Sequence, residues 1–112
     1  MRIWHEQLIP KLCRQHLLAM WREGLGAYKI ITENKRGYRN HPAVKEWENA
    51  PMILWGVLVE VRDEMVLRGY NPKVLPEPYY RALEERQIQI PWQTLEQQVE
   101  VLKSKGCQCR VW

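Results

Sequence analysis

The sequence predicts an all-α fold, a compact single domain of several helices packed around a buried central helix, and three stretches carry that prediction. In "CRQHLLAMWREGLG" the leucines, methionine and tryptophan recur at helical spacing. "APMILWGVLVEVRDEMVLRGYNP" is apolar through its first half and bracketed by Pro51 and Gly69. Thr94, with Gln97 three residues on, forms a capping-box pattern ahead of Leu95, Val99 and Leu102. With 112 residues, 46% of them apolar and 27% charged, the chain falls in the range of one globular domain, residues 1–112, rather than a disordered or membrane-inserted segment.

Taken in order, the first helix is expected to begin near Pro10, a residue suited to a first helical turn. It is expected to end at Gly24 or Gly26, either of which tolerates a left-handed terminating conformation. Residues 25–41 then read as loop, with a turn at "NKRG". His41-Pro42 favours extended backbone before "AVKEW" opens a short helix. The segment from Pro51 to Gly69, with Pro72 blocking continuation, is the central buried helix; its run "ILWGVLVEV" holds enough β-branched residues to keep a short strand as the alternative. "PEPYYRALEER" reads as a helix after a proline-rich turn, "IQIPW" as an extended linker, and the last helix runs from Thr94 up to Gly106.

Charge narrows the function classes. Seventeen basic against thirteen acidic residues leave a net charge of +4. The surplus is concentrated in Arg22, Lys29, Lys35, Arg36 and Arg39, with Tyr28, Tyr38 and His41 interleaved. A basic, aromatic-laced segment suits a polyanion whose bases can be stacked upon, although charge alone fits a solvated polar loop as well. The first ten residues lack the apolar run of a secretory signal, and no run reaches membrane-spanning length. The expectation is therefore a cytoplasmic protein without membrane contact, with Cys13, Cys107 and Cys109 as reduced thiols. Three cysteines and three histidines raise the question of zinc. Cys107 and Cys109 form a C-x-C pair, but no second pair has ligand spacing, so no metal site is expected. A glycine-rich phosphate loop and a G-x-S-x-G elbow are both absent from the sequence.

His16 and Glu23 are seven residues apart, so they project from nearly the same side of the first helix, about 10 Å apart along its axis, with Ala19 and Met20 between them. Alone they read as a core histidine and a last-turn acid. The stretch "QHLLAMWRE", with "RI" near the chain start, resembles the N-terminal signature of the pyrimidine dimer DNA glycosylases of the phage endonuclease V type. "LRGYNP" at residues 67–72 has a close counterpart there. The resemblance covers most of residues 1–74 and is most specific over the first 23.

What the resemblance implies is a DNA repair glycosylase with an associated abasic-site lyase activity, working as a monomer and without a cofactor on damaged or abasic duplex DNA. In that family the N-terminal α-amine attacks C1′ of the damaged nucleotide, expels the base and forms a Schiff base, after which β-elimination cuts the strand. A glutamate corresponding to Glu23 is the essential carboxylate, so Met1 and Glu23 are the expected catalytic pair. An α-amine with an ordinary pKa of about 7.7 to 8.0 is unprotonated to an appreciable extent near neutrality, which suits it to this attack. Arg2, as a bulky second residue, is expected to keep Met1 at the terminus. The resemblance also sets Arg2, Gln15, His16 and Arg22 at the DNA or at the site, and the basic segment adds Lys29, Lys35, Arg36 and Arg39. Gly26 stands where the family has a second arginine, and the family's longer aromatic and basic tail has no counterpart in "CQCRVW". A non-catalytic nucleic-acid-binding module on the same fold is the alternative.

Overall fold

The long N-terminal helix of the computed structural model, α1 (Arg14–Thr32), starts later and runs further than its sequence suggests. The model describes residues 2–37 and 39–110. Pro10 lies inside a separate 3₁₀ turn, Glu6–Lys11, and Cys13 is the residue that caps α1. Neither glycine stops the helix, which corrects the expected boundary and turns residues 25–32 from loop into helix. Gly24 is there for packing: a Cβ at this position would stand 2.7 Å from Leu58 Cδ2, so its absence lets α1 lie close against the next long helix. Termination falls to Asn34 instead, which takes a left-handed φ of 52°. The Lys35 N–H then reaches back to the Ile30 carbonyl at 2.9 Å, closing the helix end with the six-to-one bond of a Schellman turn.

His41 caps α2 (Pro42–Trp47), its Nδ1 accepting the Ala43 N–H, and Pro51 opens α3 (Pro51–Leu67). The stretch "ILWGVLVEV" is therefore helical, and the strand alternative is excluded. Helix α3 stops as its sequence predicts: Gly69 takes φ 85°, and the Tyr70 N–H bonds the Met65 carbonyl at 2.8 Å. Burial on α3 is one-sided. Leu54, Val57, Leu58, Val61 and Met65 are buried, whereas Ile53, Val66 and Leu67 reach the surface. The buried face meets Leu17, Met20 and Trp21 of α1 together with Ile3, Trp4, Leu8 and Leu12 of the N-terminal segment. Each fully buried leucine contributes about 1.5–3 kcal/mol, which makes this α1–α3 seam the main source of cohesion.

Beyond α3 the chain is mostly irregular. The helix expected over "PEPYYRALEER" shrinks to a 3₁₀ turn, Tyr80–Glu84, because only Ala82 is buried there and Tyr80 and Leu83 face solvent. Without an apolar face to bury, so short a segment gains too little to propagate an α-helix. "IQIPW" is extended as expected, and it is clipped to the end of α2 by Ile88 N–H to Asn49 O and Ile90 N–H to Glu46 O. Thr94 and Gln97 make the predicted reciprocal capping box at the start of α4 (Leu95–Ser104). That helix and its tail fold back onto the N-terminus: Gln98 Oε1 accepts the His5 N–H at 2.6 Å, and the Arg110 N–H bonds the Lys11 carbonyl at 2.7 Å. Among the described residues there is no strand, and none of their helices is long and apolar enough to cross a membrane.

Candidate active site

A cleft of about 370 Å³ opens where the N-terminal segment, α1 and the C-terminal third meet. Its floor is α1, from which His16, Ala19 and Glu23 project on one side of the helix, as their spacing requires. The Arg2 backbone N–H donates to Glu23 Oε2 at 2.7 Å, so the start of the chain is bound to that carboxylate. Met1 itself, expected as the nucleophile, lies outside the described residues.

The walls join Arg2, which the resemblance sets at the site, to Trp4, Trp92 and Lys105, which the sequence did not single out. Arg2 and Trp4, two residues apart, both line the cleft, and Trp4 is buried in the core together with Ile3. The Arg2 guanidinium stacks between Trp4 at 4.9 Å and Trp92 at 4.6 Å and donates to Gln93 Oε1. Burial draws the Arg2 pKa down and the Glu23 charge pulls it back up. Trp92 also meets His41 edge-on at 6.0 Å, and Trp4 meets His16 edge-on at 5.7 Å. Lys105 completes the lining. Burial and the Lys105 charge lower the His16 pKa, opposed by Glu23, which leaves the imidazole neutral near pH 7.

Glu46 on α2 positions part of this wall from outside the cleft. It is buried, with Oε1 accepting the Trp92 N–H at 3.0 Å and Oε2 accepting Gln89 Nε2 at 2.8 Å. The helical spacing of Ala43, Glu46 and Trp47 places the acid on a buried face, which is the one local sign of its role.

The basic residues divide into two groups. Gln15, Arg22 and Lys29 recur every seven residues along α1 and are exposed, as are Lys35 and Arg36 in the turn that follows. Arg39 is instead committed within the protein: Nη1 donates to the Ile30 carbonyl at 3.2 Å, and Nε faces Glu48 at 3.9 Å. Arg2, sandwiched by indoles, is likewise half-buried. Tyr28 does not join the aromatic set of the basic segment, being buried with its hydroxyl donating to the Glu77 carbonyl at 2.7 Å. Tyr38 and Trp112 lie outside the described residues.

The cysteines correct the argument from spacing. Cys13 and His16 at the start of α1 meet Cys107 and Cys109 after α4, with one ligand atom from each lying within 4.8 Å of all the others. A C-x-x-H pair and a C-x-C pair separated by most of the chain make no recognisable sequence motif, so only the fold brings them together.

A family model described as pyrimidine dimer DNA glycosylase matches residues 1–77. That span holds Arg2, Trp4, His16, Glu23 and the whole exposed basic stripe; Trp92, Gln93 and Lys105 fall beyond it. No curated protein and no solved structure matches the chain. Through the matched 77 residues, which include the floor of the cleft and the α1–α3 seam beneath it, the chain belongs to the pyrimidine dimer DNA glycosylase family.

Proposed function

We propose that this protein is a DNA glycosylase with associated abasic-site lyase activity, in which the α-amine of Met1 is the nucleophile and Glu23 the carboxylate that serves it. The observation that supports this most strongly is the 2.7 Å bond from the Arg2 N–H to Glu23. The nitrogen of Arg2 is the peptide partner of residue 1, so an α-amine there is separated from it by three covalent bonds.

In this mechanism the neutral amine attacks C1′ of the damaged nucleotide. The glycosidic bond breaks with its electron pair leaving on the base, which takes up a proton, and the sugar ring opens to an iminium. Glu23 stabilises the cationic sugar in the transition state and then accepts the C2′ proton, and the C3′–O bond breaks with its electron pair on the oxygen, releasing the downstream strand with a 5′-phosphate. Exposed Gln15, Arg22, Lys29, Lys35 and Arg36 contact the DNA backbone, with Arg22 beside the reacting carboxylate on α1. His16 and Arg2 shape the cleft rather than grip phosphate, and Arg39 ties the basic turn to α1 and α2.

Reduction with borohydride during incubation with abasic duplex is expected to give a covalent protein–DNA adduct, lost when the α-amine is acetylated. Glu23→Gln keeps the side-chain size and removes its charge, so it should bind DNA normally and cut about 100-fold or more slowly, within the range for loss of a general base. A free amine that gives no adduct on any abasic or ultraviolet-damaged duplex would leave a DNA-binding module in place of the enzyme.

A further inference from the structure

Cys13 caps α1, and His16 stands one turn further along the same helix. Gly106, with φ 64°, turns the chain after α4 so that Cys107 and Cys109 approach that helix start. His16 Nδ1 lies 3.3 Å from Cys13 Sγ and 3.2 Å from Cys109 Sγ, and all four ligand atoms fall within 4.8 Å of one another. A tetrahedral zinc ion with bonds of about 2.3 Å to sulfur and 2.0–2.1 Å to nitrogen separates its ligand atoms by about 3.5–3.8 Å. The observed shell, with His16 Nδ1 at 3.2–3.3 Å from two sulfurs and every ligand atom within 4.8 Å of the others, is of the size such an ion spans. We propose that Cys13, His16, Cys107 and Cys109 form a structural zinc(II) site that fastens the C-terminal tail to the start of α1.

Three sulfurs and one imidazole make a closed set with no open position for substrate, which is the character of structural rather than catalytic zinc. Soft thiolates also select against magnesium and calcium. An iron–sulfur cube holds its cysteine sulfurs further apart than a single ion does, so the tight spacing favours one metal ion. The surroundings supply the hydrogen bonds that cysteine ligands need, since the Cys13 N–H donates to Cys109 Sγ at 3.0 Å.

Coordination through Nδ1 would fix the His16 proton on Nε2 and hold the ring against Trp4, which in turn carries Arg2. The metal would therefore brace one wall of the cleft from its far side, a role independent of which amine performs the chemistry.

The full-length protein, purified under reducing conditions without chelator, is expected to contain one zinc per chain by elemental analysis. Its thiols should react slowly with a thiol reagent until the zinc is stripped. Replacement by cobalt(II) should give the thiolate charge-transfer and intense d–d bands of a tetrahedral site. Cys107→Ser, checked for folding by circular dichroism, should weaken zinc retention. Folded wild-type protein that takes up no stoichiometric zinc, with all three thiols freely reactive before and after zinc is added, would overturn the site. A Cys13–Cys109 disulfide in freshly purified protein, or the visible absorption of an iron–sulfur cluster, would overturn it equally.

Discussion

Glu46 never touches the cleft, yet both of its carboxylate oxygens hold the linker that brings Trp92 into it. Burial raises its pKa, against the Trp92 N–H, the Gln89 side chain and the charge of His5. The folded protein thus holds this proton more tightly than the unfolded chain. Glu46 favours folding fully below the ordinary carboxylate value near 4.5, and that contribution is lost as pH rises through the raised folded value. Glu46→Gln stays neutral throughout and keeps one acceptor for the linker. Its melting temperature relative to the parent should climb as pH rises across that window. A difference that stays flat with pH would contradict the burial of a charged Glu46. At this scale the seven-residue interval puts His16 and Glu23 on one face of a helix, and the family resemblance of the surrounding stretch is what singles out Glu23. The sequence conceals Glu46, Trp92 and Lys105, because their significance lies in contacts between segments far apart in the chain.

The two glycines of α1 separate packing from propensity. A Cβ on Gly26 would meet nothing within 4 Å, so Gly26→Ala removes only the entropic cost of glycine in a helix interior and should stabilise the protein by about 0.5–1 kcal/mol. A Cβ on Gly24 would stand 2.7 Å from Leu58 Cδ2, so the Leu58 side chain, 1% exposed and packed in the core, must shift. Gly24→Ala should therefore destabilise, by about 1–3 kcal/mol of overpacking less the gain in helix propensity. Chemical denaturation of the two variants checks the opposite signs. Helices α3 and α4 were legible because their stop and start signals, Gly69 and the Thr94–Gln97 box, act locally. The end of α1 was not, because a glycine required by close helix packing looks the same in sequence as a glycine that caps. The short turn at Tyr80–Glu84 was over-read for a related reason, since helical composition does not guarantee a surface to bury against.

Across the whole molecule, a family-matched N-terminal portion carries the cleft floor while the C-terminal third closes it with Trp92 and Lys105. The exposed cations outside the cleft are free to meet a phosphate backbone. Reversing Lys35 and Arg36 together should weaken binding on any duplex sequence and reduce the slope of log affinity against log salt by about 2 or more, as expected for losing two phosphate contacts. An unchanged slope in a filter-binding or fluorescence titration would move the DNA to another face. Arg39→Ala should instead act mainly through stability, because its partners are Ile30 and Glu48. The central claim, that the terminal amine performs the chemistry beside Glu23, is tested most directly by locating the cross-link in the borohydride-reduced adduct. Proteolysis and mass spectrometry should find the sugar remnant on the peptide containing residue 1; a remnant on Lys105, the lysine that lines the cleft, would contradict the assignment.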